Sequence, residues 1–373
     1  MGTKKLLIIR FSALGDIAMT VPVVHDVAVQ YPDLDITMLS RPMAEPLFEK
    51  LPNNVHFIAA DLKGRHKGML GLCQLWRDAH LNDFDYIADF HDVMRTQWLR
   101  AEGCLHCKKI AKIDKGRKGK KALTRQKNKV FEQQATSFER YAKVLEQLGF
   151  PIKPQFTKLD YSSFCKTQKA PGETWIGIAP FAKHPAKVYP MEKMEEVIKG
   201  LVGCEGIDTL APQPMSYRPR NEGEYLAEGL GMTSPQNIKI FLFGGGEEEK
   251  RQIKELCAKY LNVQPAQSQQ GLKGELALMG QLDVMLSMDS ANMHLASLVG
   301  TRVVSIWGGT HPYAGFLGWN QNPSDCIQLI MPCRPCSVYG NKPCFRGDYA
   351  CLNGITAKQV VDACSAAINR IME

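Results

Sequence analysis

The first continuous apolar run, KLLIIR at residues 5–10, has no polar interruption and predicts a strand buried on both faces. The apolar positions that follow, in DIAMTVPVVHDVAVQY (16–31), recur with helical spacing, and Pro22 marks a kink or break within that helix. Short strands are read at 35–39, 55–59 and 85–90. A helix over 135–150 ends at Gly149 and is stopped by Pro151. The composition then loosens into a linker, and a second cycle begins: strand 174–180, helix 191–202, and strand, Gly turn and helix over 238–261. A further strand and helix occupy 283–300, a strand 302–308, and a closing helix 356–372. Segment 204–236 is Pro- and Gly-rich and reads as a surface insertion, a candidate lid.

Strand and helix alternating in two blocks predict an α/β protein with two doubly wound domains facing across a cleft. The boundaries read 1–165 for an N-terminal domain and 172–354 for a C-terminal domain. The helix 355–373 is expected to pack back on the first domain. In such sheets ligands sit beyond the carboxyl ends of strands, which directs attention to loops 10–16, 90–95, 179–190, 244–249, 287–294 and 307–312.

Composition changes this picture in three places. The 373 residues carry a formal charge of +8, much of it local: from Lys108 to Lys129, eleven Lys or Arg residues face one acid, Asp114. Such a stripe suits an anionic membrane surface or a phosphorylated acceptor, or is a solvated loop; without interleaved aromatic residues it makes a poor case for nucleic acid. No apolar run reaches bilayer length and no cleavable leader is visible, so a cytoplasmic protein is expected. Twelve cysteines without a secretory signal argue for reduced thiols. Cys333, Cys336, Cys344 and Cys351 have a spacing that would admit a structural zinc, but no second CxxC follows, and a free-thiol loop is the simpler reading.

Four stretches carry candidate chemistry. In SMDSANMHLA (287–296), Asp289 or Ser290 caps a helix, Ser290 and Ala291 offer amides to a pyrophosphate, and His294 stands one turn on. In PFAKHPAKVYP (180–190), Lys183 and Lys187 on a proline-stiffened loop suit the charge of a departing diphosphate. In FGGGEEEKR, consecutive glycines followed by Glu247, Glu248 and Glu249 fit no G-x-G-x-x-G dinucleotide loop. One acid there would suit a ribose, and acids also favour any helix N-terminus. After the strand 85–90, His91 and Arg95 lie four apart, as if on one helix face, and would meet an anionic acceptor; a salt-bridged helix end explains them as well. Asp16, at the start of the first helix, would repel a phosphate. It is either a cap or a general base placed opposite the phosphate-binding half.

Together LLIIRFSALGDIAMTVP, the Lys187 loop ending KVYP, the Gly–acid turn and SMDSANMHLASLVGTRVVSIWGGTHP resemble the bacterial ADP-heptose:lipopolysaccharide heptosyltransferases, glycosyltransferase family 9. The resemblance runs in order along nearly the whole chain except 204–236. It implies a GT-B fold and an inverting, metal-independent transfer of heptose or a related sugar from an ADP-sugar to the lipopolysaccharide inner core. No cofactor is implied, and the enzyme would work at the inner face of the inner membrane.

By residue, the resemblance implies Asp16 as the base and Lys187 at the donor phosphates, joined by Lys183. Asp289, Ser290, Ala291 and His294 match the nucleotide motif, and Glu248 or its neighbour the ribose contact. Ser12, His91 and Arg95 are the expected acceptor contacts. Ala291 replaces a common glycine, and APFAK replaces His-Pro-Gly, which touches donor choice more than reaction type. The competing readings are a nucleotide-sugar epimerase of the same fold and a non-catalytic nucleotide- or lipid-binding protein.

Overall fold

The computed structural model describes residues 3–203, 237–266 and 270–372, and the 204–236 insertion lies outside them. Two compact units emerge. The first takes Met1–Ser163, Ala291–Gly300 and His311–Gln321; the second takes Phe164–Ser290, Thr301–Thr310 and Asn322–Glu373.

The first unit is a five-stranded parallel sheet of β1 (Lys4–Ile9), β2 (Leu34–Ser40), β3 (Val55–Ala59), β4 (Tyr86–Asp89) and β5 (Lys109–Lys112), in the order β3-β2-β1-β4-β5. The central strand β1 is covered on both faces, so Leu6, Leu7, Ile8 and Ile9 are all buried, as an unbroken apolar run requires. The expected helix over 16–31 is two helices, α1 (Leu14–Ala18) and α2 (Val21–Gln30). Pro22 falls in the first turn of α2, where its missing N–H removes no helical bond. Next come α3 (Gly68–Asp78) and α4 (Met94–Leu105), and Leu72, Leu75, Trp76 and Leu99 pack on Leu7, Ile9 and Ile87.

The basic stretch is ordered structure. It contains β5 at the sheet edge and α5 (Arg117–Leu123), with α6 (Ser137–Gln147) following. Lysines on an edge strand discourage further strand pairing, one physical reason for charge there.

The second unit is a six-stranded sheet of β6 (Thr174–Ala179), β7 (Ile238–Leu242), β8 (Val263–Pro265), β9 (Val284–Met288), β10 (Val303–Ile306) and β11 (Cys326–Ile327), ordered β11-β10-β9-β6-β7-β8. All its pairings are parallel. Its helices are α7 (Met191–Leu201), α8 (Glu247–Lys259), α9 (Leu272–Met279), α11 (Ala350–Asn353) and α12 (Ala357–Met372). The closing helix α12 groups with the second unit. Its buried face of Val360, Cys364 and Ala367 joins the core with Val197, Ile198 and Leu201 of α7.

The helix α10 (Ala291–Leu298) follows β9 but groups with the first unit, where the sequence reading had kept 172–354 together. Backbone bonds explain the grouping: Leu159 N–H donates to Leu298 O at 2.7 Å, Gln134 N–H to Tyr313 O at 2.8 Å, and Ser137 N–H to Gly315 O at 3.0 Å.

Both sheets reverse strand order at one place, between β1 and β4 in the first and between β6 and β9 in the second. Connections leave the two strands at such a point in opposite directions, and the loops after them part to leave a crevice. The loops that begin at Arg10, Phe90, Pro180 and Asp289 are the ones so placed.

Candidate active site

In the first unit the loop after β1 and the loop after β4 meet. Arg10 is nearly buried; one terminal nitrogen donates to Phe90 O at 2.6 Å and the other lies 2.9 Å from Asp16 Oδ2. The Ala13 N–H also donates to Oδ2, at 3.0 Å. Both of these contacts fall on Oδ2 and fix that oxygen. Burial alone would raise the Asp16 carboxyl, but Arg10, the Ala13 N–H and His294 together hold it below its ordinary 3.8. The carboxylate is therefore ionised at neutral pH.

His91 sits in the turn before α4, which begins only at Met94, so His91 and Arg95 do not share a helix face. The His91 side chain turns to the β1 loop instead: Phe11 N–H donates to Nδ1 at 3.4 Å, and Ser12 Oγ lies 3.3 Å from Nε2. Burial, aided by Arg10 and Lys115, pushes the imidazole down to about 3, so it is neutral. With Nδ1 accepting, the proton is on Nε2, which donates to Ser12. Asp89, fully buried at the end of β4, fixes the turn by accepting from the His91 and Asp92 N–H groups at 2.9 and 2.8 Å, and it pairs with Arg100 at 2.9 Å. Arg95 is exposed.

Arg10 and Lys120 of α5 are constituents of this half that the sequence reading did not single out. Lys120 is buried with its ammonium 4.0 Å from the centre of the Phe316 ring. Burial first, then Arg140, lowers it to about 8, while Asp16 acts the other way. Arg10 was legible as the first letter of R-x-S-x-L-G-D. Lys120 was hidden among ten similar neighbours.

Gly15 lies within α1. A Cβ there would stand 2.9 Å from His294 Cδ2 and 3.2 Å from Ala291 Cα. The glycine thus lets α10 approach α1 closely, bringing His294, itself buried, beside Asp16. Gly15→Val is expected to destabilise the protein by about 1–3 kcal/mol through overpacking. Gly245→Ala, where nothing lies within 4 Å, is expected to be near neutral. Chemical denaturation of both variants checks this, and equal effects would contradict the close approach.

In the second unit the loops after β6 and β9 meet in the same way. Lys187 Nζ lies 3.0 Å from Asp289 Oδ2, both side chains largely buried. Ser290 Oγ is 3.3 Å from Ser287 Oγ. The Lys187 stem rests on Gly340, whose φ of 74° and missing side chain admit it; a Cβ there would stand 2.5 Å from Lys187 Cγ. The cysteine-rich segment thereby supports Lys187. Lys183 is exposed and lines an open groove of about 410 Å³ with Val188, Tyr349 and Leu352.

At the Gly turn, the N–H groups of Gly245 and Gly246 both donate to Glu249 Oε2, at 2.8 and 3.1 Å. Glu248 is exposed and pairs with Arg251 at 2.6 Å, which with Gln252 holds its carboxyl at about 2. The acids of this turn therefore cap and brace their own helix. Among the described residues no three His, Cys, Asp or Glu side chains are grouped to hold a metal ion.

The profile of glycosyltransferase family 9 (heptosyltransferase) matches residues 222–343, the span that includes the Gly–acid turn and the Asp289 loop. The chain carries that match over about a third of its length. It is similar to the lipopolysaccharide core heptosyltransferase OpsX of Haemophilus influenzae, 23% identical over 314 residues, covering 83% of this chain and 80% of that one. Among solved structures it resembles a family 9 glycosyltransferase from Veillonella parvula, with TM-score 0.70 and 16% identity over 99% of this chain and 98% of that one. It also resembles ADP-heptose lipopolysaccharide heptosyltransferase II of E. coli, with TM-score 0.64 and 16% identity over 99% and 100%. The doubly wound units are accordingly those of the GT-B fold.

Proposed function

We propose that this protein is a family 9 glycosyltransferase that transfers heptose, or a related sugar, from an ADP-sugar to a lipopolysaccharide inner-core acceptor with inversion at the anomeric carbon. One observation carries the reading: a carboxylate held ionised by Arg10 and fixed by the Ala13 N–H, at the switch point of the first sheet. The acceptor hydroxyl oxygen bonds to the anomeric carbon, the bond from that carbon to the diphosphate breaks, and the hydroxyl proton passes to the Asp16 carboxylate. Ser12, His91 and Arg95 are assigned to the acceptor.

The leaving diphosphate is assigned to the second unit, where Lys187 and Lys183 meet its charge. Asp289, Ser290 and Ala291 bind the nucleotide, and Glu248 or its neighbour the ribose. His294, matched to the same motif, stands beside Asp16 and helps hold it ionised. The lysines supply positive charge at the departing phosphates, so the transfer is expected to survive a chelator. OpsX and heptosyltransferase II act in lipopolysaccharide core assembly by name, which supports the acceptor class.

No helix among the described residues is long and apolar enough to cross a membrane. We place the enzyme in the cytoplasm, meeting its lipid-borne acceptor at the inner membrane face. The test is nucleotide release from a panel of nucleotide sugars, with and without purified core acceptor, in the presence of a chelator. Acceptor-dependent release from an ADP-sugar is expected. Release that ignores the acceptor, or none from any donor, would overturn the reading.

A further inference from the structure

All strands of the first sheet are parallel, so the loops after β2, β3 and β4 open on the edge that also carries the Asp16 loop. Large apolar side chains stand exposed in these loops and in the helix starts that follow them. Met43 follows β2, Met69 and Leu70 open α3 after β3, and Met94 opens α4 after β4. Leu70 and Met94 are 86% and 85% exposed. None of the four belongs to the core of the unit.

Cations flank the most exposed pair. The segment before α3 reads DLKGRHKGML, with Lys63, Arg65 and Lys67 all exposed. Arg65 pairs with Asp78, whereas no ion pair among the described residues involves Lys63 or Lys67. Asp61, the acid of that segment, is committed to the loop itself, accepting from the N–H groups of Lys63, Gly64 and Arg65. Apolar side chains beside uncompensated lysines match the interface of an anionic bilayer, which offers acyl chains to the first and phosphate headgroups to the second. A protein partner would want the apolar groups in one compact patch. Here they are spread over three successive loop and helix starts along one rim, as a planar surface requires.

We propose that the Met43, Met69, Leu70 and Met94 rim, with Lys63 and Lys67, docks the first unit on an anionic phospholipid surface. Docking there sets the Asp16 edge towards the membrane. The inference rests on the reading of a lipid-borne acceptor, and it names a different surface from the Lys108–Lys129 stretch that composition alone singles out.

The test is co-sedimentation of the full chain with vesicles of phosphatidylethanolamine and phosphatidylglycerol, set against vesicles of phosphatidylcholine alone. Association with the anionic vesicles, weakened by salt, is expected. Met69→Asp with Leu70→Asp is expected to lower it about a hundredfold, at about tenfold for each lost apolar side chain. Lys63→Glu with Lys67→Glu should lower it more on anionic than on neutral vesicles, and Leu261→Asp, an exposed leucine of the second unit, should leave it unchanged. The replaced side chains are exposed, and unchanged thermal unfolding checks that each variant is folded. Wild-type association with both vesicle types alike, none with either, or full association of the Met69/Leu70 variant would overturn the proposal. Vesicle binding is read without donor or acceptor, so it stands or falls apart from the transfer reaction.

Discussion

Asp16→Asn is expected to lower kcat by about 10²- to 10⁴-fold while leaving donor binding close to that of the wild type. Asparagine keeps the size and the Ala13 N–H contact but has no basicity. It also replaces a negative charge that both Arg10 and His294 face, so some loss of stability accompanies it. The informative readout is acceptor-dependent nucleotide release set beside donor affinity. A loss of affinity with kcat unchanged would make Asp16 a cap and nothing more.

The pH dependence follows from the same contacts. Because the folded carboxyl lies below its unfolded value, the stability it contributes is fully present above about 4 and is lost as pH falls through the folded value. Transfer that needs the carboxylate fails over the same acid window. Arg10 is the largest lowering influence and burial the largest raising one, so Arg10→Gln leaves burial to prevail. The acid limb of the rate profile is then expected to move to higher pH. If it stays where it was, Arg10 is not what holds the base ionised.

The strands at 5–10, 35–39 and 174–180 were legible because unbroken or nearly unbroken apolar runs suit parallel strands covered on both faces. β5 was not, since its two interior residues, Ile110 and Ala111, sit among lysines, and its pairing with β4 is a long-range fact. The site was legible as loops after strands but not as partners. Nothing in the spacing of His91 and Arg95 says that one turns towards Ser12 and the other to solvent. The role of Gly15 was hidden for a related reason: sequence shows that a glycine is present, whereas only packing shows that α10 needs its missing Cβ. At the Gly–acid turn the sequence shows acids at a helix start, and only the fold shows that the Gly245 and Gly246 N–H groups donate to Glu249.

Lys187→Met is expected to reduce kcat/KM by about 10²- to 10³-fold, the scale set by removing one preorganised charge-stabilising group. It also leaves Asp289, a carboxylate only 4% exposed, without its cation 3.0 Å away. Breaking a buried pair by removing one partner costs about 3–5 kcal/mol, so lost activity in this variant alone would not separate catalysis from folding. The double variant Lys187→Met/Asp289→Leu removes both charges, and replacing a buried pair by apolar groups of similar size is often neutral for stability. The expected result is a double variant that unfolds near the wild-type midpoint yet transfers no faster than Lys187→Met. Recovery of transfer along with stability would show that Lys187 serves only to neutralise Asp289, and would move the donor phosphates to another cation of that unit, with Lys183 the first to test.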